Sequence, residues 1–265
     1  MQCAQRINAR ENIQQLPANF HLAVEKAQGK PIVFVTILGP YEIGKSSIIK
    51  KLTGDNGIQI GNGLYETTTG IMLHGPYPYN QLRKSFEMET IEDNDTQVFF
   101  VDTEGFAYFS DTKHEQEYIS ILNKLFAPYF ALSIVNVLMV RRNLVRSEIK
   151  YVKDIINVIE TCQSKSNHNQ NPKLISLCTN VLPQWEVDAR NKFIENIGAE
   201  ADYTEFLTLP QFDIQSDLLN QSQEFNNSFK IFAQALLKSI EEVRNEFTFD
   251  SESAFQVFNE IVQKE

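Results

Sequence analysis

The stretch Gly39-Pro40-Tyr41-Glu42-Ile43-Gly44-Lys45-Ser46 has the spacing G-x-x-x-x-G-K-[ST] of a phosphate loop. Its two glycines let the backbone curl so that successive N–H groups point inward, which suits an anionic di- or triphosphate at a helix N-terminus. Lys45 would reach the β- and γ-phosphates, and the Ser46 hydroxyl would coordinate Mg²⁺. Gly39, Tyr41, Glu42, Ile43, Gly44 and Ser47 complete the set expected to surround the phosphates. A second chemical signal is Asp102-Thr103-Glu104-Gly105. A carboxylate at the carboxyl end of a strand beside the phosphate-loop strand can hold Mg²⁺ through water. Gly105 can offer its backbone N–H to a γ-phosphate and act as a hinge.

These residues need elements to position them. Residues 32–38 form a β-branched, aromatic-rich run, expected as a strand covered on both faces, and it leads straight into the loop. Ile48, Ile49 and Leu52 then fall at helical spacing, with Gly54 as the stop. Residues 54–70 are too rich in Gly, Asn and Thr for a regular element; they read either as a loop that closes over the γ-phosphate or as an ordinary exposed loop. A strand is expected over 71–75 and a Pro/Tyr-rich excursion over 75–79. Phe86, Met88 and Thr90 alternate with Glu87 and Glu89, which predicts a half-exposed strand over 85–91, antiparallel to a buried strand at 97–101.

Further along, a helix is expected over 114–126, a core strand over 130–140 and an amphipathic helix over 148–162. A polar loop follows over 165–172, then strands at 174–178, ending in Thr179-Asn180, and at 206–209. A long helix over 218–247 and a last one over 252–262 close the chain. The fold class is α/β: a three-layer P-loop nucleotidase fold with a mostly parallel central sheet and one antiparallel strand pair. Residues 1–30 read as a lead-in helix, 31–247 as one domain, and 248–265 as a C-terminal helix opening a following region.

Composition narrows the partners. Of 265 residues, 42% are hydrophobic and 11% aromatic, enough for a substantial core. The net charge of −10 and pI near 5.0 argue against nucleic acid or an anionic membrane as the main partner. Cys3, Cys162 and Cys178 lie far apart with no C-x-x-C pair, so neither a disulfide framework nor a zinc site is signalled, and a reducing compartment fits. Gln5, Arg6, Asn8, Arg10 and Glu11 interrupt any signal-peptide core, and the nearest approach to a membrane span, 126–140, is short and ends at Arg141-Arg142. A soluble, cytoplasmic chain is expected, with any membrane contact made through regions outside it.

With these motifs in hand, the chain resembles the guanylate-binding protein and atlastin branch of the dynamin superfamily of large GTPases, from about Ile32 onward. Tyr41 in mid-loop, Thr68 ahead of Gly70-Ile71, Asp102-Thr103-Glu104-Gly105-Phe106, and Phe130-Ala131-Leu132 before an apolar strand carry the resemblance. It implies GTP binding and hydrolysis, GDP as product, Mg²⁺ held by Ser46, Thr68 and Asp102, and a homodimer formed through the GTPase faces. It also implies that Thr179-Asn180 occupies the place of the branch's guanine-reading arginine-aspartate pair. An asparagine amide offers one acceptor oxygen where a carboxylate accepts two hydrogen bonds from the guanine edge, so weaker selectivity is expected unless another residue supplies it. Glu42 stands where the branch carries its in-loop arginine. A carboxylate there repels a γ-phosphate unless it turns away, so slow hydrolysis is expected. Two other readings stay open: a nucleotide-gated interaction module with vestigial hydrolysis, and an ATP-using P-loop enzyme.

Overall fold

A computed structural model describes residues 5–7, 16–60, 71–92, 95–103, 105, 126–144, 146–165, 173–198, 204–210, 222–245 and 248–264. Among the described residues, seven strands form one sheet in the order β1-β3-β4-β2-β5-β6-β7. They are β1 (Gln5–Ile7), β2 (Ile32–Leu38), β3 (Ile71–Pro78), β4 (Gln97–Thr103), β5 (Ser133–Arg141), β6 (Lys173–Thr179) and β7 (Thr204–Thr208). β2 is central, paired in parallel with β4 on one side and β5 on the other, and β6 and β7 continue the parallel run. All seven residues of β2 and of β4 are buried, as expected of strands covered on both faces.

Two apolar layers sandwich the sheet. On one face lie α2 (Lys45–Thr53), α3 (Tyr79–Ser85) and α7 (Gln223–Arg244), burying Ile48, Ile49 and Leu52 together with Phe225, Phe229, Phe232 and Ile240. The other face carries α1 (Leu16–Val24), α4 (described over 126–132), α5 (Arg146–Lys165), α6 (Glu186–Ile197) and α8 (Ser251–Lys264). Phe20 of α1 stacks on Phe258 of α8 at 4.2 Å between ring centroids, and Tyr129 of α4 meets the same Phe258 edge-on at 5.2 Å. The phenylalanine stripe of α7 is packing against the sheet.

The fold class is the expected one, with different residues at some positions. The antiparallel partner of β4 is β3, where Ile71 faces Thr103 and Met72 faces Asp102, and β1 pairs antiparallel with the far side of β3. Residues 85–91 are not a strand: α3 occupies the segment up to Ser85 and a turn follows at Phe86-Glu87. Their alternation arises because Phe86, Met88 and Ile91 pack onto the α7 layer from an irregular segment. Its backbone is satisfied from α3. The Asn80 amide donates to Ile91 O and accepts from Ile91 N at 3.0 and 3.1 Å, and Arg83 Nε donates to Glu89 O at 2.7 Å.

The strand expected over 130–140 starts later, at Ser133, because Phe126, Ala127, Tyr129, Phe130 and Leu132 belong to α4, whose apolar residues recur at helical spacing. α6 and the short β1 were not anticipated. Of the helix expected over 114–126, the polar loop over 165–172 and the loop over 54–70, residues 114–125, 166–172 and 61–70 lie outside the described residues.

Candidate functional site

The carboxyl ends of β2, β4, β5 and β6 deliver the candidate residues to one edge of the sheet, where open α/β sheets bind ligands. β2 ends at Leu38 and the loop passes into α2, whose N-cap is Gly44 and whose C-cap Gly54 donates its N–H to Lys50 O at 2.8 Å. Gly39 has φ +155, and a Cβ there would stand 2.8 Å from Met139 O and 2.9 Å from Met139 Cβ. Only a glycine lets the loop turn so tightly over β5. Glu42 also has positive φ, +58, and is exposed. Tyr41, Ile43 and Gly44 are half-buried, whereas Ser47 is buried.

Lys45 is buried, at 6% exposure, and its Nζ donates to Gly39 O at 3.1 Å and to Pro40 O at 3.0 Å. The ammonium thus lies across the loop it follows in sequence. Ser46 Oγ donates to Asp102 Oδ2 at 2.6 Å, so the first turn of α2 and the end of β4 are joined across 56 residues of sequence. Thr103 Oγ1 donates to Ile37 O at 2.9 Å and ties β4 to β2. Gly105 is buried against the loop: a Cβ on it would lie 2.4 Å from Tyr41 Cα and 3.1 Å from Lys45 Nζ. Lys45, Ser46, Asp102 and Gly105 therefore converge on one spot, whereas Thr68 lies outside the described residues.

Thr179 and Asn180 sit further along the edge. Thr179 is buried with Oγ1 3.4 Å from Val140 O, and Asn180 is exposed with φ +62. Beyond them Arg142 lays its guanidinium 4.2 Å from the Trp185 ring centroid, and its Nη2 donates to Asp188 Oδ2 at 2.9 Å. Arg142, with Lys192 beside it, holds the Asp188 carboxyl below the ordinary carboxylate range.

Three side chains at this edge were not anticipated as site residues. Arg141, at the end of β5, donates from Nη2 to Tyr41 O at 3.0 Å and lies 3.4 Å from Glu148 Oε1 of α5. Its sequence signal was a pair of arginines at the end of an apolar run, a pattern that also marks a strand merely reaching solvent. Arg142 shares that signal. His74, on β3, has its Nε2 3.8 Å from Asp102 Oδ2. A single histidine in a strand carries no spacing signal; only the pairing of β3 with β4 brings it here.

Strand, curled loop, helix and a carboxylate on the neighbouring strand define a P-loop nucleotide-binding domain. Residues 8–176 match the N-terminal domain family of guanylate-binding proteins, which is more than half of the chain, and the chain belongs to that family. No curated protein matches it. Among solved structures, a crystal structure of an SsGBP variant aligns with 86% of this chain at 13% identity and a TM-score of 0.41. This chain spans 63% of the length of that structure. A probable GTP-binding protein, engB, aligns with 81% of this chain and 99% of its own, at 13% identity and a TM-score of 0.44. Among the described residues, no helix is long and apolar enough to cross a membrane.

Proposed function

We propose that this domain binds GTP at the phosphate loop together with Mg²⁺ and hydrolyses it slowly to GDP. The observation that carries the reading is the Ser46–Asp102 hydrogen bond beside the buried Lys45 ammonium. Ser46 and Asp102 are hard oxygen donors suited to Mg²⁺, which typically takes few protein ligands and keeps several waters. Thr68 is proposed as a further ligand. When bound, Mg²⁺ neutralises charge on the β- and γ-phosphoryl oxygens. Lys45 would exchange its two carbonyl partners for phosphate oxygens, the curled backbone of the loop would supply N–H donors, and the Gly105 N–H would meet the γ-phosphate. Thr179 and Asn180 are proposed to face the base.

Glu42 brings negative charge to the loop apex, which disfavours fast hydrolysis. Its exposure also supports a second reading, in which nucleotide binding gates pairing of two copies through the GTPase face and hydrolysis is vestigial. The buried free thiol of Cys178 fits a reducing compartment, and the cytoplasm is the proposed location.

The test is a titration of the protein with fluorescent GTP and ATP analogues in Mg²⁺, repeated with Lys45→Ala, followed by single-turnover phosphate release. Tight GTP-analogue binding that Lys45→Ala abolishes is the expected result; equal affinity in the variant overturns the phosphate-site assignment. Preference for the ATP analogue overturns the guanine assignment. Phosphate release separates the two readings: slow turnover supports hydrolysis, and none supports the gated module.

A further inference from the structure

His74 and Asp102 are side by side in the interior, at 2% and 1% side-chain exposure. On the antiparallel β3–β4 pair, Met72 faces Asp102 and His74 faces Phe100, which makes His74 and Asp102 diagonal neighbours on one face of the sheet. That face also carries α2, whose Ser46 donates to the same carboxylate oxygen, Asp102 Oδ2, at 2.6 Å. His74 Nε2 stands 3.8 Å from that oxygen and has no hydrogen-bond partner among the described residues. A ring nitrogen buried without a partner costs free energy, and an apolar ring would fill the place without that cost. The 3.8 Å gap is longer than a hydrogen bond and within the range of a close electrostatic contact.

We propose that His74 is a positioning residue for the Mg²⁺-binding carboxylate: its Nε2–H and the Ser46 hydroxyl both address Asp102 Oδ2 and together fix how the carboxylate is turned toward the cation. The inference rests on the reading of Ser46 and Asp102 as the Mg²⁺ pair. A carboxylate fixed by two donors pays less ordering entropy when it takes up a metal or a metal-bound water, and outer-shell partners of this kind typically change metal affinity by about 10- to 100-fold. His74 lies on β3 three residues after Ile71, so it also ties the strand that follows residues 61–70 to the metal-binding end of β4.

The experiment measures release of a fluorescent GDP analogue from wild type, His74→Phe and His74→Gln across free Mg²⁺ concentrations and in EDTA, with thermal midpoints alongside. His74→Phe is expected to need about tenfold more free Mg²⁺ for half-maximal slowing of release, with release in EDTA unchanged. His74→Gln, whose amide nitrogen reaches a similar place, is expected to restore most of the loss. A residue that only packs would shift the thermal midpoint and leave the Mg²⁺ dependence alone, and that result overturns the proposal. If His74→Phe does not fold, His74→Leu carries the same comparison. Should wild-type release show no Mg²⁺ dependence, the Ser46–Asp102 assignment falls and this inference falls with it. A normal wild-type dependence that His74→Phe leaves unmoved removes this inference alone.

Discussion

Gly105 rests against Tyr41 with no space between them: a Cβ on the glycine would lie 2.4 Å from Tyr41 Cα and 2.7 Å from Tyr41 N. The obstacle is backbone, so no rotamer change relieves it. Gly105→Ala is expected to push the segment after β4 off the phosphate loop and to weaken binding of a fluorescent GTP analogue about tenfold or more, since misplacing a binding group by an ångström has effects of that size. An unchanged affinity would mean that this contact is dispensable for binding.

From the opposite side Arg141 holds the carbonyl of the same Tyr41 at 3.0 Å and reaches Glu148. The loop is therefore held by Arg141 of β5 on one hand and by contact with Gly105 on the other. Arg141→Ala removes a charge-assisted hydrogen bond, worth about 1.5–3 kcal/mol when well made and less here because the side chain is 36% exposed. Nucleotide affinity is expected to fall several-fold, read in the same titration, with the global unfolding midpoint nearly unchanged.

Phe258 joins α8 to α1 and α4 through its contacts with Phe20 and Tyr129, and it is fully buried. Phe258→Ala is expected to cost about 3–5 kcal/mol, the usual range for deleting a buried ring. Denaturant unfolding measures it. A loss below about 1 kcal/mol would mean that α8 does not contribute to the main core in solution.

Cys178 is buried at the end of β6, and desolvation pushes its thiol up to about 12 even though Arg142 nearby pulls the other way. Alkylation requires the thiolate, so native Cys178 is expected to stay unmodified by iodoacetamide at pH 8 and to react once the chain is unfolded. Mass spectrometry of the peptide carrying Cys178 reads this directly. Labelling of the native protein would show that the β6 end opens readily.

Much of this fold was legible because its signals are local. The run Ile32–Leu38, the glycine spacing after it and the helical spacing of Ile48, Ile49 and Leu52 depend on neighbours in sequence, and β2, the loop and α2 follow them. The strand at 97–101 and the helix at 148–162 were readable for the same reason, with ends extended by a few residues. The segment 85–91 was not, because a few alternating residues fit a strand and also fit an irregular stretch dropping side chains onto a helix. α6 carries a local signal in Ala189, Phe193 and Ile197 at four-residue steps, three buried positions in an otherwise largely exposed helix.

The sequence by itself determined the phosphate loop, the carboxylate at the end of an apolar strand and the α/β class, since short-range spacing and burial pattern suffice for these. Only the tertiary structure decided that β3 and not residues 85–91 lies beside β4, and so that His74 meets Asp102. It alone set Arg141 and Gly105 on either side of Tyr41 and placed Ser46 within hydrogen-bonding distance of Asp102. Those contacts join residues tens of positions apart, and their distances follow from strand order and register, which no local spacing encodes.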